Sequence, residues 1–111
     1  MIISAEKLVV EERTGERLGT FTNLLTESQM HGKAKIFARS LLKPGSKTPI
    51  HQHVGDFEVL YILAGSGLVY DNGVSKEVKT GDVIFTGDGE SHAIENVGDI
   101  DLEYIALVIY S

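Results

Sequence analysis

Cysteine is absent from the 111 residues, which excludes disulfides, thiolate metal sites and a cysteine nucleophile and suits a reducing cytoplasm. No apolar run approaches the length that spans a bilayer. The opening Met1-Ile2-Ile3-Ser4-Ala5-Glu6-Lys7 lacks a basic stretch leading into a long apolar one, so no signal peptide is expected. Positive charge is scarce: 10 Lys and Arg stand against 16 Asp and Glu, for a net charge of −6. Binding of phosphate backbones needs clustered Lys and Arg, so nucleic acid is not expected as the partner. A soluble, cytoplasmic protein is the expectation, with neither nucleic acid nor membrane as its business.

What is present is β-structure chemistry. At 111 residues and 42% apolar content the chain has the length of one domain and enough apolar surface for a core. Twelve glycines punctuate short β-branched runs, the pattern of a sandwich or barrel. Strands are expected at 35–42, 49–53, 58–63, 67–70, 74–78, 82–86, 92–96 and 102–110. Asp71-Asn72-Gly73 is a strong hairpin signal, because Asn-Gly accepts the positive φ angles of a tight primed turn. The fold class is all-β. The first 33 residues form an arm of less certain character, with a possible strand at 7–11 and either a helical turn or a loop at 22–30, where Thr26 and Ser28 compete as caps. A barrel core at 34–110 completes a single domain of residues 1–111. Two runs, 59–64 and 104–109, are apolar throughout. A half-exposed strand would alternate, so both faces of these two are expected to be covered, most simply by a second subunit in a homodimer.

Three of the four histidines fall into one arrangement. His51 and His53 are two apart on an expected strand and so point to the same face, while Gln52 between them points away. Glu58 follows after Val54-Gly55-Asp56-Phe57, a link short enough to turn the chain back alongside. His92 comes after the glycine-rich turn Gly87-Asp88-Gly89. Three imidazoles and one carboxylate suit one divalent ion of Mn, Fe, Co, Ni, Cu or Zn rather than Ca or Mg, which take more oxygen ligands. Glu58 also has a second reading, as a carboxylate that hydrogen-bonds a ligand histidine without touching the ion. His31 reads as a surface loop residue, and Arg39, out of phase with Ile36, Ser40 and Leu42 facing inward, as half of an ion pair or a subunit contact. Tyr61, Phe85 and Tyr104 read as core or pocket wall.

The spacing of these residues resembles the cupin superfamily through both of its motifs. Gly45, His51-Gln52-His53, Glu58 and Gly65 match the first at every interval, and Gly81, Gly89, His92 and Asn96 match the second, with Gly87 where proline is usual. That departure is expected to loosen the turn before His92 without removing a ligand. The resemblance covers about residues 38–110 and implies a double-stranded β-helix, the jelly-roll barrel, with His51, His53, Glu58 and His92 as metal ligands. Four protein ligands leave an octahedral ion two further positions. The functions implied are those of a metal-dependent enzyme of dioxygenase, decarboxylase or isomerase type acting on a small oxygen-bearing molecule, or of a non-catalytic binding or sensor protein anchoring a ligand through the metal. Oxalate decarboxylation fits less well, because the established enzymes are double-barrelled and carry a mobile carboxylate lid with no counterpart in this sequence. No general base outside the ligand set stands out, and the catalytic residues stay unassigned.

Overall fold

A computed structural model describes residues 1–111 and is almost entirely strands. In chain order these are β1 (Val10–Arg13), β2 (Gly19–Asn23), β3 (Ala34–Leu42), β4 (His51–Gln52), β5 (Asp56–Ala64), β6 (Ser66–Asp71), β7 (Val74–Lys79), β8 (Val83–Thr86), β9 (Ser91–Glu95) and β10 (Leu102–Tyr110). Short 3₁₀ turns at Ala5–Lys7 and Gly15–Arg17 are the only helical pieces. The strands form a six-stranded sheet in the order β1-β2-β3-β10-β5-β8 and a four-stranded sheet in the order β4-β9-β6-β7, with antiparallel pairing throughout. This is the jelly-roll expected of an all-β chain whose strands are short and turn-bounded.

Alternation along each strand builds the core. On β10, Leu102, Tyr104, Ala106 and Val108 are buried while the residues between them are not, the period of two that a pleated strand imposes. Leu102, Tyr104 and Ala106 join Leu42, Leu60, Ile62, Val69, Ile84 and Ile94 from the other strands in the core cluster. The hairpin between β6 and β7 turns at Asn72 and Gly73, both at positive φ (50° and 95°), as the Asn-Gly pair requires. The motif asparagine proves structural. Asn96 is buried, donates to the carbonyls of Leu42 at 2.9 Å and Ile100 at 2.8 Å, and accepts from the Gly98 amide at 3.0 Å.

Several elements differ from expectation. The strand expected at 49–53 is reduced to His51–Gln52, because Pro49 has no amide to donate. Pairing with β9 is instead spread around it: the Thr48 amide donates to Ile94 and the His53 amide to Glu90. The possible strand at 7–11 starts later, at Val10, after the 3₁₀ turn. Its partner β2 was not expected at all. Gly19 lets it lie against β3, since a Cβ there would overlap the Leu41 carbonyl oxygen. The segment 22–30 ends β2 and then turns, and Thr26 and Gln29 cap each other across that turn, each side chain accepting from the other's amide. Finally, the runs 59–64 and 104–109 alternate in burial, and within one chain their outer face stays partly exposed.

Candidate metal centre

Three segments deliver the four candidate ligands. His51 and His53 flank Gln52, whose amide is tied to the Gly89 carbonyl at 2.9 Å. Glu58 is the third residue of β5, on its inner face. His92 lies on β9 directly opposite His51 in the register. His53, Glu58 and His92 are buried and His51 is exposed at the rim. The turn that leads to His92 is closed rather than loosened by Gly87. A proline there would have no N–H, whereas the Gly87 amide donates to Glu90 Oε1 at 2.6 Å and the Glu90 amide returns to the Gly87 carbonyl at 3.1 Å. The same turn is stitched to the histidine loop, with Gly89 N–H donating to the His53 carbonyl at 2.7 Å and Gly55 N–H to Asp88 Oδ1 at 3.0 Å.

The side chains converge. His92 Nε2 stands 3.0 Å from both His51 Nε2 and His53 Nε2, and Glu58 Oε1 lies 2.8 Å from His92 Nε2 and 3.3 Å from His53 Nε2. All four donor atoms fall within 4.8 Å of one another. The remaining nitrogens face outward onto fixed partners: His51 Nδ1 onto the Pro49 carbonyl at 2.9 Å, His53 Nδ1 onto Asp56 Oδ1 at 2.6 Å and His92 Nδ1 onto Thr86 Oγ1 at 2.8 Å. A carbonyl and a carboxylate only accept, so the neutral rings of His51 and His53 carry their proton on Nδ1 and turn a bare Nε2 lone pair inward. Lone pairs gathered around a carboxylate repel one another unless a cation lies between them, so the donor set fits a divalent ion. The spacing also fits, since donors about 2.1 Å from a shared ion would lie about 3.0 Å apart at a right angle.

The motif spacing identified the four convergent residues but missed what holds them. Asp56, read only as part of a link, is the first residue of β5 and is buried with His53 as its partner. Its signal was an acid three residues after a candidate ligand. The cluster opens into a cavity of about 390 Å³ also lined by Tyr104, Arg13 and Arg17. Burial first, and the Glu58 charge further, raise the Tyr104 pKa above its ordinary value, against a hydrogen bond from Ser40 that lowers it. Tyr104 is thus both core and pocket wall, while Tyr61 and Phe85 lie on the outer face, exposed. Arg39 pairs with Glu103 at 2.7 Å, and His31 is an exposed turn residue at positive φ.

The family model described as Cupin domain matches residues 38–110. The chain is a cupin. The match begins within β3, so β1, β2 and both arginines of the cavity lie outside it. This cupin is 43% identical to the "Oxalate-binding protein" of Thermotoga maritima, over 98% of this chain and 93% of the relative. A crystal structure described as a predicted oxalate decarboxylase, also from Thermotoga maritima, superposes with a TM-score of 0.92 at 43% identity and covers 100% of both chains. The cupin domain of Schizosaccharomyces pombe Cnp3 shares the fold alone, with a TM-score of 0.80 at 16% identity over 97% of this chain and 72% of that one. No helix is long and apolar enough to cross a membrane.

Proposed function

We propose that this cupin is a metal-dependent enzyme acting on a small oxygen-bearing organic molecule inside its barrel. His51, His53, Glu58 and His92 would hold one divalent transition-metal ion per chain. The observation that carries the reading is the inward convergence of three Nε2 atoms and one carboxylate oxygen, with each Nδ1 engaged behind. A bound divalent ion would supply a Lewis acid able to polarise a ligand carbonyl or carboxylate. The chain's own residues do the rest. Asp56 and the Pro49 carbonyl hold the rings, Thr86 orients His92, and the buried Tyr104 keeps a phenol proton at the cavity wall. The names of the Thermotoga maritima relatives support a small carboxylate as ligand and decarboxylation as the first reaction to test.

A second reading, binding without turnover, is favoured by one feature: both carboxylates lining the cavity, Asp56 and Glu58, are engaged by histidines, which leaves no free carboxylate base. Protein loaded separately with Mn, Fe, Co, Ni, Cu and Zn and offered oxalate, keto acids and diketones separates the two. Product formation above the metal-only blank supports the enzyme, whereas saturable binding with no product supports the binder.

We infer further that the functional unit is a homodimer. Register places Phe37, Leu107, Val59 and Phe85 in one row across the outer face of the six-stranded sheet, with Ile105, Tyr61 and Val83 in the next row beside Arg39. Of these, Val83, Phe85 and Tyr61 are 62%, 60% and 46% exposed. A second copy presenting the same face would cover it.

A further inference from the structure

Two arginines of the amino-terminal hairpin line the cavity, neither of them hydrogen-bonded to a carboxylate. Arg13 ends β1 and Arg17 ends the 3₁₀ turn that follows, and both line the same cavity as the histidine cluster. Arg13 is fixed in place, with its guanidinium 4.2 Å over the Phe21 ring. Its Nε is shut off from water and makes no hydrogen bond. The nearest carboxylate, Glu11, is 3.7 Å away, too far for a hydrogen bond, and its side chain is 60% exposed. Arg17 makes no ion pair, and the cavity's acids, Asp56 and Glu58, are committed to histidines. Burial, then the neighbouring Arg17 charge, hold the Arg13 pKa below its usual value. A buried donor left unsatisfied beside a second positive charge is a costly arrangement, and an anion would relieve both faults.

The geometry points to Arg13 and Arg17 as the recognition site for a carboxylate of the cavity's ligand, which makes that ligand a small organic anion. One oxygen-bearing end would lie at the histidine cluster and a carboxylate at the arginines, where a guanidinium offers a planar fork of donors matched to two oxygens. The assignment deepens the proposed function and rests on it for the metal end only. It also gives residues 1–33 a role: β1 and β2, outside the family match, bring a specificity element to the cavity lining. In a chain of net charge −6, the two arginines, with Lys35 also on the lining, place positive charge in the ligand cavity and select for anions locally, against the field of the whole molecule.

The test is calorimetric titration of dicarboxylates from oxalate to glutarate, and of inorganic phosphate, into wild type, Arg13→Gln, Arg17→Gln and Arg17→Lys. Metal content is measured on the same samples, with and without chelation, so that a failed metal centre is read separately from a failed anion site. The expected result is a loss of dicarboxylate affinity of about tenfold or more in each Gln variant, partial recovery in Arg17→Lys and unchanged metal content. Arg17→Gln removes no stacked ring contact and keeps the test open should Arg13→Gln fold poorly. Dicarboxylate affinity unchanged in both Gln variants, or no dicarboxylate binding to wild type, would overturn the assignment whether or not metal is present. So would phosphate binding more tightly than every dicarboxylate and depending on the same arginines.

Discussion

Asp56 shows how much of the centre depends on a residue that touches no ligand atom of the proposed ion. It lies 2.6 Å from His53 Nδ1, fixes the tautomer that frees Nε2, and is itself buried. Such partners behind a ligand histidine typically change metal affinity by about 10–100-fold. Asp56→Asn is therefore expected to weaken metal binding by about tenfold or more while leaving the melting temperature of the chelated protein close to wild type. Competition against a chelator of known affinity measures it, and an unchanged affinity would remove Asp56 from the account. Tyr104 gives a prediction of opposite character. Its folded pKa is raised above the ordinary 10.0, mainly by burial. The folded state therefore keeps a proton that the unfolded chain releases, so this contribution is full below about pH 10 and is lost as pH rises through the folded value. Urea melts from about pH 8 to about pH 11 should show a steeper fall for wild type than for Tyr104→Phe.

At the scale of elements, the turn from Gly87 to Glu90 is the piece on which His92 depends. Its closure rests on the Glu90 carboxylate accepting from the Gly87 amide at 2.6 Å. Glu90→Ala should cost about 1 kcal/mol of stability, a typical net hydrogen bond, and should lower metal affinity more than an Ala substitution at an exposed acid such as Glu77. Chemical denaturation and chelator competition on the two variants provide the comparison. The legibility of the fold divides along the same lines. Strands from β3 onward, β4 apart, are legible because glycine-bounded β-branched runs announce them, and the clustering of four side chains because His51, His53 and Glu58 sit close together in sequence with His92 in a second motif. β2 escaped notice because Gly19-Thr20-Phe21-Thr22-Asn23 holds one large apolar residue and a glycine, a run without periodicity whose strand exists only through pairing with β3. Nothing local in the sequence places Arg13 and Arg17 either, since only the pairing of the hairpin onto β3 brings them to the cavity. The turn at Gly87 was misjudged because a missing proline reads as lost rigidity, while the amide it restores finds an acceptor three residues on.

For the molecule as a whole, the outer face of the six-stranded sheet sets the expected assembly. The residues of 59–64 and 104–109 alternate between the core and this face, so the chain itself explains the inner half, and the proposed partner copy would cover the outer half. Sedimentation should give a mass of about twice the 12.1 kDa chain. The double variant Tyr61→Glu, Phe85→Glu, at positions 46% and 60% exposed, should shift it to the monomer without unfolding it. A wild type that sediments as a monomer at all concentrations would contradict the dimer.

Elemental analysis decides whether His51, His53, Glu58 and His92 hold an ion. Wild type, His51→Ala, His92→Ala and the double variant are each purified, saturated with Mn, Fe, Co, Ni, Cu or Zn, freed of unbound ion and assayed for metal per chain. About one equivalent is expected in wild type and a sharp loss in each variant, complete in the double one. Binding should weaken on acidification, because protons compete with a divalent ion for imidazole nitrogens. Full stoichiometry retained in the double variant, or no uptake of any of these metals by wild type, would contradict the metal centre.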